Sequence, residues 1–347
     1  MGLYHPVSIG PLTIPGNLFL APVAGYSDRA FRSVCIEPRV GEQGADFTCT
    51  EMVSSEALIR NGVRTELMLP RAENEARYAV QLFGADPDVM YRAALLLAPW
   101  RPEAVDINCG CPVPKVVKTG AGSALMRSPE RLGHIVEAVV KASKETLGDV
   151  PVTVKLRSGW DAASLNYREC GRIAVEAGAA LVGLHPRTRS QGYAGKSDWS
   201  RISDMASRLA VPVAGSGDLF SPEDAEKMLR ETGCAAVMFA RGALGNPFIF
   251  SATRALLKGE AWQGPTPRER LETAFRQLIL LSRDMGESPA CKEMRKQFCA
   301  YTKGISGGAA LRNRLIHADT IERYRSILAT QPDFFLERQD DGEYTEY

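Results

Sequence analysis

Asn108-Cys109-Gly110-Cys111-Pro112 closes the short apolar run that begins at Ala104. Glycine lets the backbone turn there, proline stops a strand from continuing, and the cysteine between them is presented on the following loop. A free thiol titrates near pH ~8.5, so Cys111 is mainly protonated at neutral pH and suits proton donation during reduction of an electron-poor double bond. Hydride delivered to one carbon leaves an enolate whose neighbouring carbon needs a proton, and a thiol on a mouth loop is placed to supply it. Cys109, still on the run, is expected to pack instead.

Two polar residues share the position of that thiol at the ends of other apolar runs. Lys155 is the sole charge in Val152-Thr153-Val154-Lys155-Leu156. A cation at such a strand end needs an anionic or strongly accepting partner, such as the N1 and O2 edge of a reduced flavin. The Gln81 amide offers a donor and an acceptor to the same kind of ring edge. Further along, Gly215-Ser216-Gly217-Asp218 precedes Ser221-Pro222, and Ala240-Arg241-Gly242 precedes Asn246-Pro247. Each pairs flexible backbone with an expected helix cap and a proline start, so amides and an arginine gather where a phosphate would be held. Gly192-Tyr193-Ala194-Gly195-Lys196-Ser197 resembles a phosphate-binding loop, but Ser190 stands where the leading glycine belongs. No Gly-x-Gly-x-x-Gly segment exists for a Rossmann dinucleotide domain.

The elements that must position these residues repeat regularly. Apolar or β-branched runs at 18–21, 47–50, 79–82, 105–108, 152–156, 181–185, 212–215 and 236–239 each end in a polar or glycine-containing turn. Helices are expected between them at 28–35, 86–98, 129–146, 165–177, 199–209 and 222–231. Such alternation fits a closed barrel or an open doubly wound sheet. The chemically competent residues all follow run ends, which only a (β/α)8 TIM barrel gathers at one mouth. The fold class expected is therefore α/β, a TIM barrel over 1–255 followed by a small all-helical domain over 265–335. Residues 7–14 read as a hairpin around Gly10-Pro11 that plugs the bottom, and 336–347 as an acidic mobile tail.

Across all 347 residues, 45% are hydrophobic and 24% charged, the composition of a folded globular chain. Nothing approaches the roughly 18 uninterrupted apolar residues of a membrane span, and the start lacks a basic stretch followed by an apolar one. A cytoplasmic protein without membrane attachment is expected, and a monomer. Eight cysteines without a Cys-x-x-Cys pair, and four dispersed histidines, give no reason to expect a disulfide scaffold or a metal. The net charge of +1 hides an asymmetry: residues 337–347 carry −4, leaving +5 on the remainder. On a helix beginning near Cys291, Lys292, Arg295, Lys296 and Lys303 fall on one stripe, and Cys291, Met294, Phe298 and Tyr301 on the other. With Arg312, Arg314 and the loop cations Lys115, Lys118, Arg127, Arg187, Arg189 and Lys196, this points to RNA.

Taken in order, Ala21-Pro22-Val23-Ala24-Gly25-Tyr26-Ser27-Asp28, Thr50-Glu51-Met52, Gln81-Leu82-Phe83-Gly84, Asn108-Cys109-Gly110-Cys111-Pro112, Lys155-Leu156-Arg157, His185-Pro186-Arg187-Thr188 and Ala240-Arg241-Gly242 form one pattern. The chain resembles the tRNA-dihydrouridine synthases, the bacterial B-type branch above all. The resemblance implies an FMN-holding barrel, a helical domain that grips tRNA, and NADPH as a transient reductant. It implies that Cys111 is the proton donor. Pro22, Val23, Ala24, Gln81, Lys155, His185, Ser216, Gly217, Asp218, Ala240 and Arg241 would contact FMN, and Asn108 would meet the uracil. Lys115, Arg187, Lys292, Arg295 and Lys296 are the expected RNA contacts. The usual family pattern has Pro-Met-Ala, His-Gly-Arg-Thr, Asn-Gly-Asp and Gly-Arg, where this chain has Val23, Pro186, Ser216 and Ala240. Ser216 is shorter than asparagine and Pro186 lacks an amide donor, so flavin contacts near the sixth and seventh runs follow least directly. Two other readings exist. One is a flavin barrel acting on a free pyrimidine, as in dihydroorotate or dihydropyrimidine dehydrogenases, which would have no use for a basic helical appendage. The other is a catalytically silent RNA-binding flavoprotein, which would not need Asn108, Cys111 and Lys155 together.

Overall fold

The computed structural model describes residues 2–331, so the acidic tail expected at 336–347 lies outside the described residues. A short antiparallel hairpin, β1 (Val7–Ile9) and β2 (Leu12–Ile14), turns at Gly10, whose φ is +57°. Eight further strands follow: β3 (Leu18–Leu20), β4 (Thr48–Ser54), β5 (Tyr78–Phe83), β6 (Ala104–Cys109), β7 (Val152–Arg157), β8 (Leu181–His185), β9 (Val213–Ser216) and β10 (Ala236–Phe239). They pair in parallel in the order β3-β10-β9-β8-β7-β6-β5-β4, and a parallel bridge from Phe19 to Phe47 closes the ring. This is the barrel that the eight run ends require.

Helices cross between the strands, and their starts follow local chemistry. Asp28, Asp86 and Ser221 each accept a hydrogen bond from a main-chain N–H of the first turn, with proline opening the second and third helices. The expected cap at Asn246 is not used; that helix runs from Ile249 to Lys258 with Phe248 at its cap position. Two short helices, Ser55–Leu58 and Val63–Glu66, occupy the connection from β4 to β5, where none is expected from the sequence.

Strand parity divides the barrel into an inside and an outside. On β6, Ala104, Asp106 and Asn108 share one parity, while Val105, Ile107 and fully buried Cys109 share the other. At the strand starts, Ala79, Ala104, Leu181, Ala214 and Ala236 pack with Val7, Ile9 and Ile14 of the hairpin. The hairpin thus plugs the bottom with apolar side chains. The four strand-start alanines leave it room.

By internal contacts the chain divides into two compact units, Met1–Gly264 and Pro265–Tyr347. The second is helical over Pro267–Met285, Glu287–Tyr301, Gly308–Leu315 and Ile321–Leu328. Thr266 and Glu269 form a reciprocal capping box at its first helix. In Glu287–Tyr301 the stripe of Cys291, Met294, Phe298 and Tyr301 is buried, as the periodicity requires. No helix among the described residues is long and apolar enough to cross a membrane.

Candidate active site

The C-terminal ends of the strands open on a cavity of about 420 Å³. Its wall includes Pro22, Val23, Ala24, Gln81, Asn108, Cys111, Lys155, His185, Ser216, Gly217, Asp218, Ala240 and Arg241. Residues far apart in the chain meet there because each follows, or ends, a strand of one closed barrel. Met52, Arg157, Tyr193 and Phe220 join them. Sequence reasoning did not select these four as site residues. For Arg157 the signal was its place two residues after Lys155, which gives both side chains the same parity. Met52 is turned to the cavity by a register shift in β4 between Cys49 and Met52, which no local sequence signal marks.

Cys111 lies at the wall and is 9% exposed. Its loop is braced twice. Asn108 Oδ1 accepts from the main-chain N–H of Cys111 at 2.9 Å and of Gly110 at 3.2 Å, and Arg157 Nε donates to the Gly110 carbonyl at 2.8 Å. Burial raises the pKa of the thiol, against a main-chain contact from Val113 and the charges of Arg157 and Lys155, so the group is protonated at neutral pH. Cys109 packs outside the barrel, as its parity demands.

Lys155 stands on β7 directly opposite Asn108 of β6 and makes no hydrogen bond or ion pair among the described residues. Burial, then Arg157, lowers its pKa to about 8, while Asp106 pulls the other way. At pH 7 it remains mostly an ammonium ion facing the cavity. His185 is held down to about 2 by burial and by Lys155, Arg157, Arg187 and Arg241, and is therefore neutral. Gln81 is 1% exposed and engaged at both ends: Nε2 donates to Asp106, and Oε1 accepts from Asn108 Nδ2 at 2.7 Å.

The turns after β9 and β10 form the opposite wall. Gly217 has φ +108°, and a Cβ there would lie 2.2 Å from Ser197 Oγ and 2.8 Å from His185 Cδ2, so only glycine fits. Asp218, also in the left-handed region at φ +57°, accepts from Arg187 Nη2 at 2.8 Å on both oxygens and from the Ser197 N–H at 2.8 Å. Arg241 lies 3.4 Å from Asp218, with its guanidinium over the rings of Tyr193 and Phe220. A flat, phosphorylated, electron-accepting group fits this lining. The Gly217 cradle admits close backbone approach, Arg241 is partly exposed, and Lys155 has no partner of its own.

The expected RNA contacts separate. Lys115 is exposed on a short helix, Pro114–Val117, just beyond Cys111. Arg187 is corrected: it is 1% exposed, and its guanidinium donates to the carbonyls of Ala194 and Gly195 and to Asp218. A cation buried to this degree among internal acceptors braces the loop that carries Tyr193 and is not presented to an RNA phosphate. In the helical unit Lys292 is exposed, Arg295 donates to the Ala318 carbonyl at 3.3 Å, and Lys296 pairs with Glu293. The described residues contain no group of three or more His, Cys, Asp or Glu side chains that could hold a metal ion.

Comparison with known proteins bears on the fold and on the family. The barrel resembles 2-naphthoyl-CoA reductase (TM-score 0.55, 13% identity, 75% of this chain and 52% of that one). It also resembles histamine dehydrogenase from Rhizobium sp. 4-9 (TM-score 0.53, 15% identity, 82% and 50%). At those identities the likeness concerns the fold alone. The chain is 50% identical to a probable tRNA-dihydrouridine synthase of Treponema pallidum, over 94% of this chain and 96% of the relative. It is 34% identical to tRNA-dihydrouridine synthase B of Pseudomonas aeruginosa, over 97% and 98%. The family model described as dihydrouridine synthase matches residues 19–333, and the chain belongs to that family.

Proposed function

We propose that this protein reduces uridine in tRNA to 5,6-dihydrouridine. The observation that carries the reading is the meeting, on one cavity, of a protonated thiol at Cys111 and an unpartnered ammonium at Lys155. When bound, FMN supplies the hydride for uracil C6 and is replenished from NADPH. Lys155, and Gln81 beside it, would stand against the ring edge that becomes electron-rich. The main-chain N–H groups of Gly217, Asp218 and Ala240 with the Arg241 guanidinium would hold the phosphate, and Pro22, Val23 and Ala24 would line the ring. Ser216 and neutral His185 complete that contact set.

The target base must leave its stack to enter a cavity of this size. Asn108 meets it beside the acid. As charge develops on the pyrimidine after hydride arrival, the Cys111 thiol gives its proton to C5; the C5–H bond forms, the S–H bond breaks, and the thiolate regains a proton from solvent. Burial favours the neutral thiol before transfer. Lys115, Lys292, Arg295 and Lys296 hold the RNA backbone, with the helical unit binding tRNA and the barrel performing the chemistry. The protein acts as a cytoplasmic monomer.

The test is to map dihydrouridine in tRNA from cells lacking the gene and from the same cells complemented with it, and to offer the purified holoenzyme unmodified tRNA, free uracil and orotate. The reading predicts dihydrouridine that disappears and returns with the gene, and turnover on tRNA. Turnover confined to the free bases would reject it.

A further inference from the structure

Beneath the cavity floor, a carboxylate is buried in the centre of the barrel. Asp106 is 5% exposed, and β5, β6 and β7 bring Gln81, Asp106 and Thr153 into register across three neighbouring strands. Thr153 Oγ1 donates to one carboxylate oxygen, and Gln81 Nε2 donates to the other. The next links lead upward. Gln81 Oε1 accepts from Asn108 Nδ2 at 2.7 Å, and Asn108 Oδ1 accepts from the main-chain N–H of Cys111 at 2.9 Å.

Every amide in that series could turn over and exchange its oxygen for its NH2 group. A carboxylate cannot donate, so the Gln81 side facing Asp106 must be NH2. Its oxygen then faces Asn108, which must present NH2 in turn, and the Asn108 oxygen is left for the Cys111 amide. Were Gln81 reversed, two NH2 groups would oppose each other, and a reversed Asn108 would set NH2 against the Cys111 N–H. Such buried clashes of donors are costly, and so the direction of the whole series is set at its lower end.

We propose that Asp106 is a positioning residue that fixes the direction of the Gln81 and Asn108 amides and thereby holds the Cys111 loop in place for proton transfer. It touches neither the substrate nor the reacting atoms. The assignment deepens the functional reading, because it takes Cys111 as the acid.

Two broken series and one intact series test it. Asp106→Leu removes the acceptor. Gln81→Met keeps about the size of the side chain but has neither the N–H for Asp106 nor the oxygen for Asn108, so it breaks the same link if Asp106→Leu fails to fold. Asp106→Asn retains an oxygen for Gln81 Nε2 and offers its own NH2 to Thr153 Oγ1. The purified holoenzymes are compared by the rate at which iodoacetamide alkylates Cys111, followed on its own peptide by mass spectrometry, and by single-turnover uridine reduction at saturating tRNA. The two breaking variants are expected to alkylate roughly tenfold faster at Cys111 and to reduce uridine roughly tenfold more slowly, the scale of one lost buried hydrogen bond. Asp106→Asn is expected to stay within about threefold of the parent in both, since the bonds it keeps are individually worth little more than that. Equal losses in Asn and Leu variants would assign the effect to charge, and unchanged alkylation in both breaking variants would remove the positioning role; either result overturns the proposal. A parent enzyme inactive on tRNA would overturn the function instead, leaving the alkylation comparison to decide this inference.

Discussion

At the bottom of the barrel the strands present Ala79, Ala104, Leu181, Ala214 and Ala236 to an apolar hairpin. At the top, four of the same strands and their neighbour β7 present Gln81, Asn108, His185, Ser216 and Lys155 to a cavity. Five residues or fewer separate the two sets along any one strand. The lower layer is apolar and filled by neighbouring side chains; the upper one holds an ammonium without a partner, a histidine kept neutral and a thiol kept protonated. Groups held in this way would be poor choices for stability alone. Their burden is carried from below, by packing that has no chemical role.

Changes at the bottom should therefore cost stability without changing chemistry per folded molecule. Ile9 is fully buried in the plug. Ile9→Ala is expected to lower unfolding free energy by about 2–5 kcal/mol, read by chemical denaturation, with flavin absorbance and uridine reduction per folded enzyme unchanged. A loss of activity exceeding the loss of folded protein would break the separation between the two ends.

At the top the effects should reverse. Lys155→Met removes the charge proposed to meet the flavin edge, and titration with FMN is expected to show affinity about 10- to 100-fold weaker, with a melting temperature near that of the parent apoprotein. Gly217→Ala forces a Cβ against Ser197 and His185 at a positive φ and is expected to cost about 1–3 kcal/mol as well as FMN affinity. A smaller effect is expected in the helical unit. Lys292→Ala should weaken tRNA binding a few-fold and lower the salt dependence of log K by about 1, leaving FMN affinity untouched.

Acidity sharpens the same contrast. A raised thiol pKa means that Cys111 keeps its proton to higher pH than an ordinary cysteine. The single-turnover rate of uridine reduction should stay level through pH 7, with Lys155 losing its proton near pH 8 and the acid form of Cys111 lost only above pH ~8.5. A fall already under way at pH 7 would contradict the protonated thiol.

Much of this was legible from residue order. The Gly10-Pro11 hairpin, the eight runs and the helix Pro129–Thr146 follow from periodicity, caps and turn residues, which act over a few positions. The mouth residues follow because each closes a run. Arg187 is not legible as buried because, apart from His185 two residues away, its acceptors are two carbonyls in a loop and a carboxylate on another turn. Asp106 lies inside an apolar run, where a lone carboxylate sharing the inward parity of Asn108 is the only local sign of its role. Tyr193 depends on where its loop folds back, and that is decided by Arg187.

The central claim is that the Cys111 sulfur delivers the proton, and Cys111→Ala tests it most directly. The purified FMN-loaded variant, given unmodified tRNA and NADPH, is predicted to bind flavin and tRNA like its parent while forming dihydrouridine about 100-fold more slowly or less. Dihydrouridine formed at the parent rate would contradict the account.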